Sequence, residues 1–138
     1  MPDLAPVRHR AVRRSNPLNQ PDIRGYEKQI TSALEYAANT YTFEDVCKAV
    51  SEGRLQFWPG PNSVVITEII EYPQYRTLNY FLAGGNLAEL AAMLPRIEAW
   101  GRMQNCTRAI LIGRKGWERT FITQEGYAPE LVVFGKTL

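Results

Sequence analysis

Two glutamates near the middle of the chain, Glu68 and Glu71, are the side chains best suited to acid–base work. A carboxylate whose pKa is raised by burial can take a proton from an amine or a water, so each is a candidate catalytic base. They stand three apart in TEIIE, a stretch of strand composition, and on a pleated strand such positions face opposite ways. The spacing therefore does not make a carboxylate pair, and the plainer reading is two solvated or salt-bridged glutamates. A second constellation is GGN: Gly84, Gly85 and Asn86, just ahead of a helical pattern. Backbone N–H groups at such a helix start can hold a phosphate, although a tight turn with an Asn cap uses the same residues. The basic run Arg114, Lys115 and Arg119 can meet the same phosphate or simply decorate a helix.

Other chemistries lack parts. His9 is the single histidine and falls in the N-terminal stretch, while Cys47 and Cys106 are isolated from each other and form no CxxC. A zinc site needs three or four His, Cys or carboxylate ligands at a workable spacing, so no metal is expected. The same scarcity leaves no Ser-His-Asp or Cys-His arrangement inside the domain. Trp58, Trp100 and Trp117 form no periodic stacking stripe, and serve the core or anchor an interface.

The elements that must position these residues centre on residues 76–112. RTLNYFLAG reads as a strand, residues 87–103 carry apolar side chains at helical spacing, and TRAILIG reads as a strand covered on both faces. Strand, helix and parallel strand form a right-handed crossover unit, with ligand space at the carboxyl ends of the strands. Upstream, residues 23–39 predict a helix and residues 43–52 a second, capped by Thr40 or Thr42 and ended by Gly53. Residues 55–58 and 63–70 predict strands that form an antiparallel meander with RTLNYFLAG. Downstream, a short helix from about Arg114, a break at Gly126 and Pro129, and a last strand near residues 131–135, antiparallel to TRAILIG, complete an α/β mixed sheet flanked by helices.

A length of 138 residues and a 45% hydrophobic fraction predict one domain with a sizeable core. No stretch reads as a membrane span or signal peptide, and unpaired cysteines fit a cytoplasmic protein. The charge is uneven. Residues 1–24 hold five arginines against two aspartates, a net +3 where the whole chain has +2, so the remainder is close to neutral. Residues 1–22, with four prolines and with Arg8, Arg10, Arg13 and Arg14, read as a basic arm outside the core, and residues 23–138 as the folded domain. Such an arm can order on a protein partner. It gives only weak, salt-sensitive contact with nucleic acid.

The order of elements over residues 23–138 resembles the GCN5-related N-acetyltransferase (GNAT) superfamily without its first strand. RTLNYFLAGGNLAELAAMLPRIEAW is similar to the family's fourth strand, pyrophosphate loop and long helix. The combination GRKGWER, GY and FGK resembles small GNAT-like proteins of bacteriophages and prophages. The resemblance implies acetyl-CoA as cofactor and an amine as acceptor, with Gly84, Gly85 and Asn86 on the pyrophosphate. Matching Gly84 to the first glycine of the loop puts Phe81 at its basic or amide position. The place of the family's tyrosine acid holds Ile122, beside Phe121, and neither carries an ionisable proton. The expectation is therefore a non-catalytic or weakly catalytic GNAT-like interaction or assembly module. It would have protein partners or form a homo-oligomer in a bacterial host, with incorporation in a virion as a further implication. The alternative is an acetyl-CoA-dependent N-acetyltransferase.

Overall fold

In a computed structural model the described residues are 8–13, 21–113 and 121–138. They form an α/β unit with a five-stranded mixed sheet flanked by helices. The longest strand that is buried nearly throughout, β3 (Val64–Glu71), lies in the middle. It pairs antiparallel with β4 (Arg76–Gly84), and a bulge after Ile66 leaves Phe81 as the extra residue of β4. β4 pairs in parallel with β5 (Arg108–Leu111) through α3 (Leu87–Met103), which is the crossover expected from the sequence. The other side of β3 carries two short strands end to end. β2 (Gln56–Pro59) covers Val64 to Thr67, and β1 (Arg8–Arg10) covers Ile69 to Glu71.

Alternation along β3 splits the core in two. Val64 and Ile66 face α1 (Glu27–Glu35) and α2 (Phe43–Ser51) and pack with Ile30, Leu34, Phe43 and Val46. Val65 and Ile69 face α3 and pack with Leu90, Met93, Leu94 and Ile97. α2 starts at Thr42, whose hydroxyl accepts from Asp45 N while the Asp45 carboxylate accepts from Thr42 N; this capping box fixes Thr42 as the cap. The first helical segment is shorter than its apolar pattern. A 3-10 helix, Ile23–Tyr26, leads into α1, which stops at Glu35 because Ala38 and Asn39 turn the chain through positive φ.

Four expectations are corrected. Residues 8–13 are not an arm outside the fold: Arg8–Arg10 is an edge strand, Val12 packs on the α3-side core, and Val12 N donates to Gly53 O at 2.6 Å. β1 pairs its backbone with a strand that would otherwise have a bare edge, and this overcomes the basic composition. A strand at the N-terminus therefore exists, contrary to the expectation of a missing first strand. The expected last strand is absent: residues 128–138 have no regular structure, and Leu131 to Phe134 stand in solvent. β5 is correspondingly half-exposed rather than covered on both faces. Past residue 113 the described helix is one turn, α4 (Phe121–Gln124).

Candidate functional site

Glu68 sits on β3 with 6% of its surface exposed and is fully partnered. Asn79 Nδ2, directly across on β4, donates to Glu68 Oε1 at 2.7 Å. His9 Nδ1 lies 2.5 Å from Glu68 Oε2. The histidine that sequence alone puts in a loose arm is thus held against a buried carboxylate, in the order His9, Glu68, Asn79. A carboxylate on Nδ1 fixes the orientation of the ring. Glu71 is used differently. Arg76 Nε donates to its Oε1 at 2.7 Å, and Arg10 Nη1 lies 4.0 Å away. The two glutamates do not converge on one site.

Gly84 to Asn86 form a closed turn. Gly85 has φ +122°, and a Cβ there would meet Asn62 O at 2.7 Å, so only glycine fits. Asn86 N donates to Ser63 Oγ, and Asn86 Oδ1 accepts from Ala88 N and Glu89 N. Glu89 in turn accepts from Asn62 N at 2.9 Å, which holds its carboxyl below the usual carboxylate range. The N–H groups of Asn86, Ala88, Glu89 and Leu90 all have protein acceptors, and a carboxylate already sits at the helix start. This geometry favours the cap over the phosphate cradle.

The tryptophans divide. Trp58 is a core residue, 2% exposed, donating to Thr67 Oγ1 at 3.0 Å, and is not an interface anchor. Trp100 is half-buried and meets Trp58 edge to face at 5.6 Å. The Arg13 side chain lies over Gly53, and Arg10 runs along the sheet. Arg8 is placed by its backbone pairing. Arg14, Arg114, Lys115, Arg119 and Trp117 lie outside the described residues. Burial pushes both thiols, Cys47 and Cys106, above the ordinary range, so neither is activated. Among the described residues no three His, Cys, Asp or Glu side chains gather as metal ligands, and no helix is long and apolar enough to cross a membrane.

The least satisfied region is the far edge of the sheet. A cleft of about 1210 Å³ runs along it, with β5 on one wall and residues 128–133 on the other. Its floor includes a cluster that sequence reading passed over. Tyr127 OH donates to Glu98 Oε2 at 2.9 Å and lies 3.3 Å from Tyr80 OH, with the two rings edge to face. Burial pushes the Tyr80 phenol up to about 12, and burial with its two partners pushes Tyr127 up as well. Both stay neutral at ordinary pH, and Tyr127 pins the start of the C-terminal segment to the core. Arg108, the first residue of β5, pairs with Glu130 at the segment's root. Beyond that root, Leu131, Val132, Val133 and Phe134 are 82%, 76%, 71% and 91% exposed. Their strand-forming composition was visible in the sequence, but the lack of a partner was not.

No protein-family profile matches the sequence, and no curated protein sequence matches it. Among solved structures, the chain is similar to a crystal structure of a point mutant of TTHA1254 from Thermus thermophilus. The TM-score is 0.59 at 10% sequence identity, over 86% of this chain and 95% of that one, a likeness of fold.

Proposed function

We propose that this chain is a GNAT-like domain kept as a protein-interaction or assembly module, and that its contact element is the C-terminal segment beside β5. One observation carries the reading: four consecutive large apolar side chains, Leu131 to Phe134, are held in water next to a half-exposed edge strand. An exposed apolar run of this kind is a liability for a free monomer and an asset for an interface. The near-neutral domain argues for a protein rather than a nucleic acid as the partner, since Arg10 and Arg13 lie against the fold. The resemblance to phage- and prophage-encoded proteins makes a particle or its assembly complex the setting we favour. Size-exclusion chromatography with light scattering, alone and with the products of neighbouring genes, tests this. Complex formation that Val132→Asp with Phe134→Asp abolishes is the expected result. A chain that joins nothing, or joins a complex regardless of these substitutions, refutes it.

The alternative is acetyl transfer from acetyl-CoA to an amine, and one feature favours it. β4 and β5 pair only as far as Tyr80 and Leu111, while β4 runs on to Gly84, so the parallel strands end unevenly, as a pantetheine arm would require. In that reading His9, held by Glu68, becomes the candidate base in place of either glutamate alone. Calorimetric titration with acetyl-CoA decides: micromolar binding revives the enzyme, and none at millimolar ligand ends it.

A further inference from the structure

We infer that the partner of the open edge is a second copy of this chain, bound by reciprocal exchange of the C-terminal segments. The inference rests on the reading of that segment as an interface and names what it meets. Each copy has two complementary defects. One is a lane between β5 and its own residues 128–133 that no described residue fills. The other is an unpaired segment, LVVF, whose branched and aromatic side chains suit a strand. The segment does not fill the lane of its own chain, because Glu130 is tied to Arg108 and Tyr127 to Glu98, and these two anchors make it the lane's opposite wall. The segment of a second copy has no such restraint.

Placing it there gives one spatial order: β5 of the first copy, the segment of the second, the segment of the first, β5 of the second. A two-fold axis normal to the sheet relates the halves and sets the two segments antiparallel. Each segment then has two strand neighbours, each β5 loses its bare edge, and the contact is isologous and closed. A foreign strand filling the lane would still leave this chain's own segment with one bare side. Self-exchange removes both defects with no other component. The partner segment is antiparallel to the β5 it meets, the orientation the sequence predicts for residues 131–135 within one chain.

The experiment uses the full chain. Light scattering over a dilution series gives the dimer constant. Two singly substituted proteins, Ala109→Cys and Val132→Cys, are mixed under mild oxidation, with each mixed against the parent protein as control. A concentration-dependent dimer and a disulfide between the two variants, absent from the controls, are expected. Val132→Asp with Phe134→Asp should raise the dimer dissociation constant about 100-fold and leave the melting temperature of the dilute monomer unchanged. A dimer indifferent to those substitutions overturns the exchange. A strict monomer that joins another protein through Val132 and Phe134 also overturns it, while sparing the interaction reading. A strict monomer whose complexes ignore both residues overturns both.

Discussion

On one side of the sheet, β1 and β2 lie end to end along β3, and most of the polar side chains they bring are matched. His9 meets Glu68, Trp58 Nε1 donates to Thr67 Oγ1 at 3.0 Å, and Gln56 Nε2 donates to Val12 O at 3.1 Å, while Arg10 Nη1 is buried without a hydrogen bond, 4.0 Å from Glu71. On the other side, β5 is four residues long and half-exposed, and the apolar segment that should pair with it stands away from it. Both margins have the composition to pair, yet only one finds its partner within the chain. The first margin has polar contacts at fixed register, His9 against Glu68 and Arg10 4.0 Å from Glu71, which favour a single pairing. The second offers apolar side chains without a polar register, which suits a larger contact with less internal specification.

The largest test of this contrast is removal of residues 1–13. It takes away β1 and Val12 and leaves Glu68 and Gln56 short of partners in a buried setting. A loss of about 4 kcal/mol is expected from denaturant unfolding. A chain whose stability survives this truncation would make β1 an ornament and erase the difference between the margins. Next comes a matched pair of truncations. Ile69→Ala, fully buried against α3 and paired through its backbone with β1, should cost about 3 kcal/mol. Val133→Ala, on the open margin, should leave monomer stability within about 0.5 kcal/mol while weakening self-association. Equal costs would mean that the segment packs on its own chain.

How much of this was legible follows the same division. The crossover from β4 through α3 to β5 was readable because its signals are local: an aromatic strand, Asn86 as cap, a helical period and an apolar strand. The meander was readable for the same reason, with the turn at Pro59 to Pro61 between its first two strands. The two margins were misread in opposite directions. Prolines and arginines made residues 8–13 look detached, because the carboxylates that hold them lie about sixty positions downstream. LVVF looked like a finished strand, because composition reports what a segment can pair with and not whether a neighbour is there. The site suffered likewise: Glu68 reads from the sequence as a candidate base, but its setting depends on His9, and that contact is tertiary.

The open margin should also be the alkali-sensitive one. Tyr80 has its folded pKa raised from 10.0 to about 12, and Tyr127 moves in the same direction. Raised values mean that the folded state favours the neutral phenols. Their contribution is complete below pH 10 and is lost as the pH climbs from about 10 towards 12, as the unfolded chain ionises first. Thermal melts across that window should fall in step, and Tyr127→Phe should flatten the fall. An unchanged alkaline profile in that variant would take the phenol cluster out of the anchoring of the C-terminal segment.

On the first margin the smallest effect expected is at His9, and it probes what closes that margin. Its side chain is 40% exposed, so the contact by itself contributes little. The buried partner changes the balance: in His9→Ala, Glu68 keeps Asn79 on Oε1 and loses its partner on Oε2. The cost should be about 1 kcal/mol, mostly the penalty of an under-partnered carboxylate rather than the value of the lost contact. The double variant His9→Ala with Glu68→Gln separates these terms, since the amide is cheaper to leave half-satisfied. If the double variant is more stable than His9→Ala alone, the histidine serves to satisfy Glu68 and the margin is held by backbone pairing. If it is less stable, charge itself fixes the register of β1, and the contrast between a margin specified by charge and one left to apolar exchange is sharper than the backbone alone would make it.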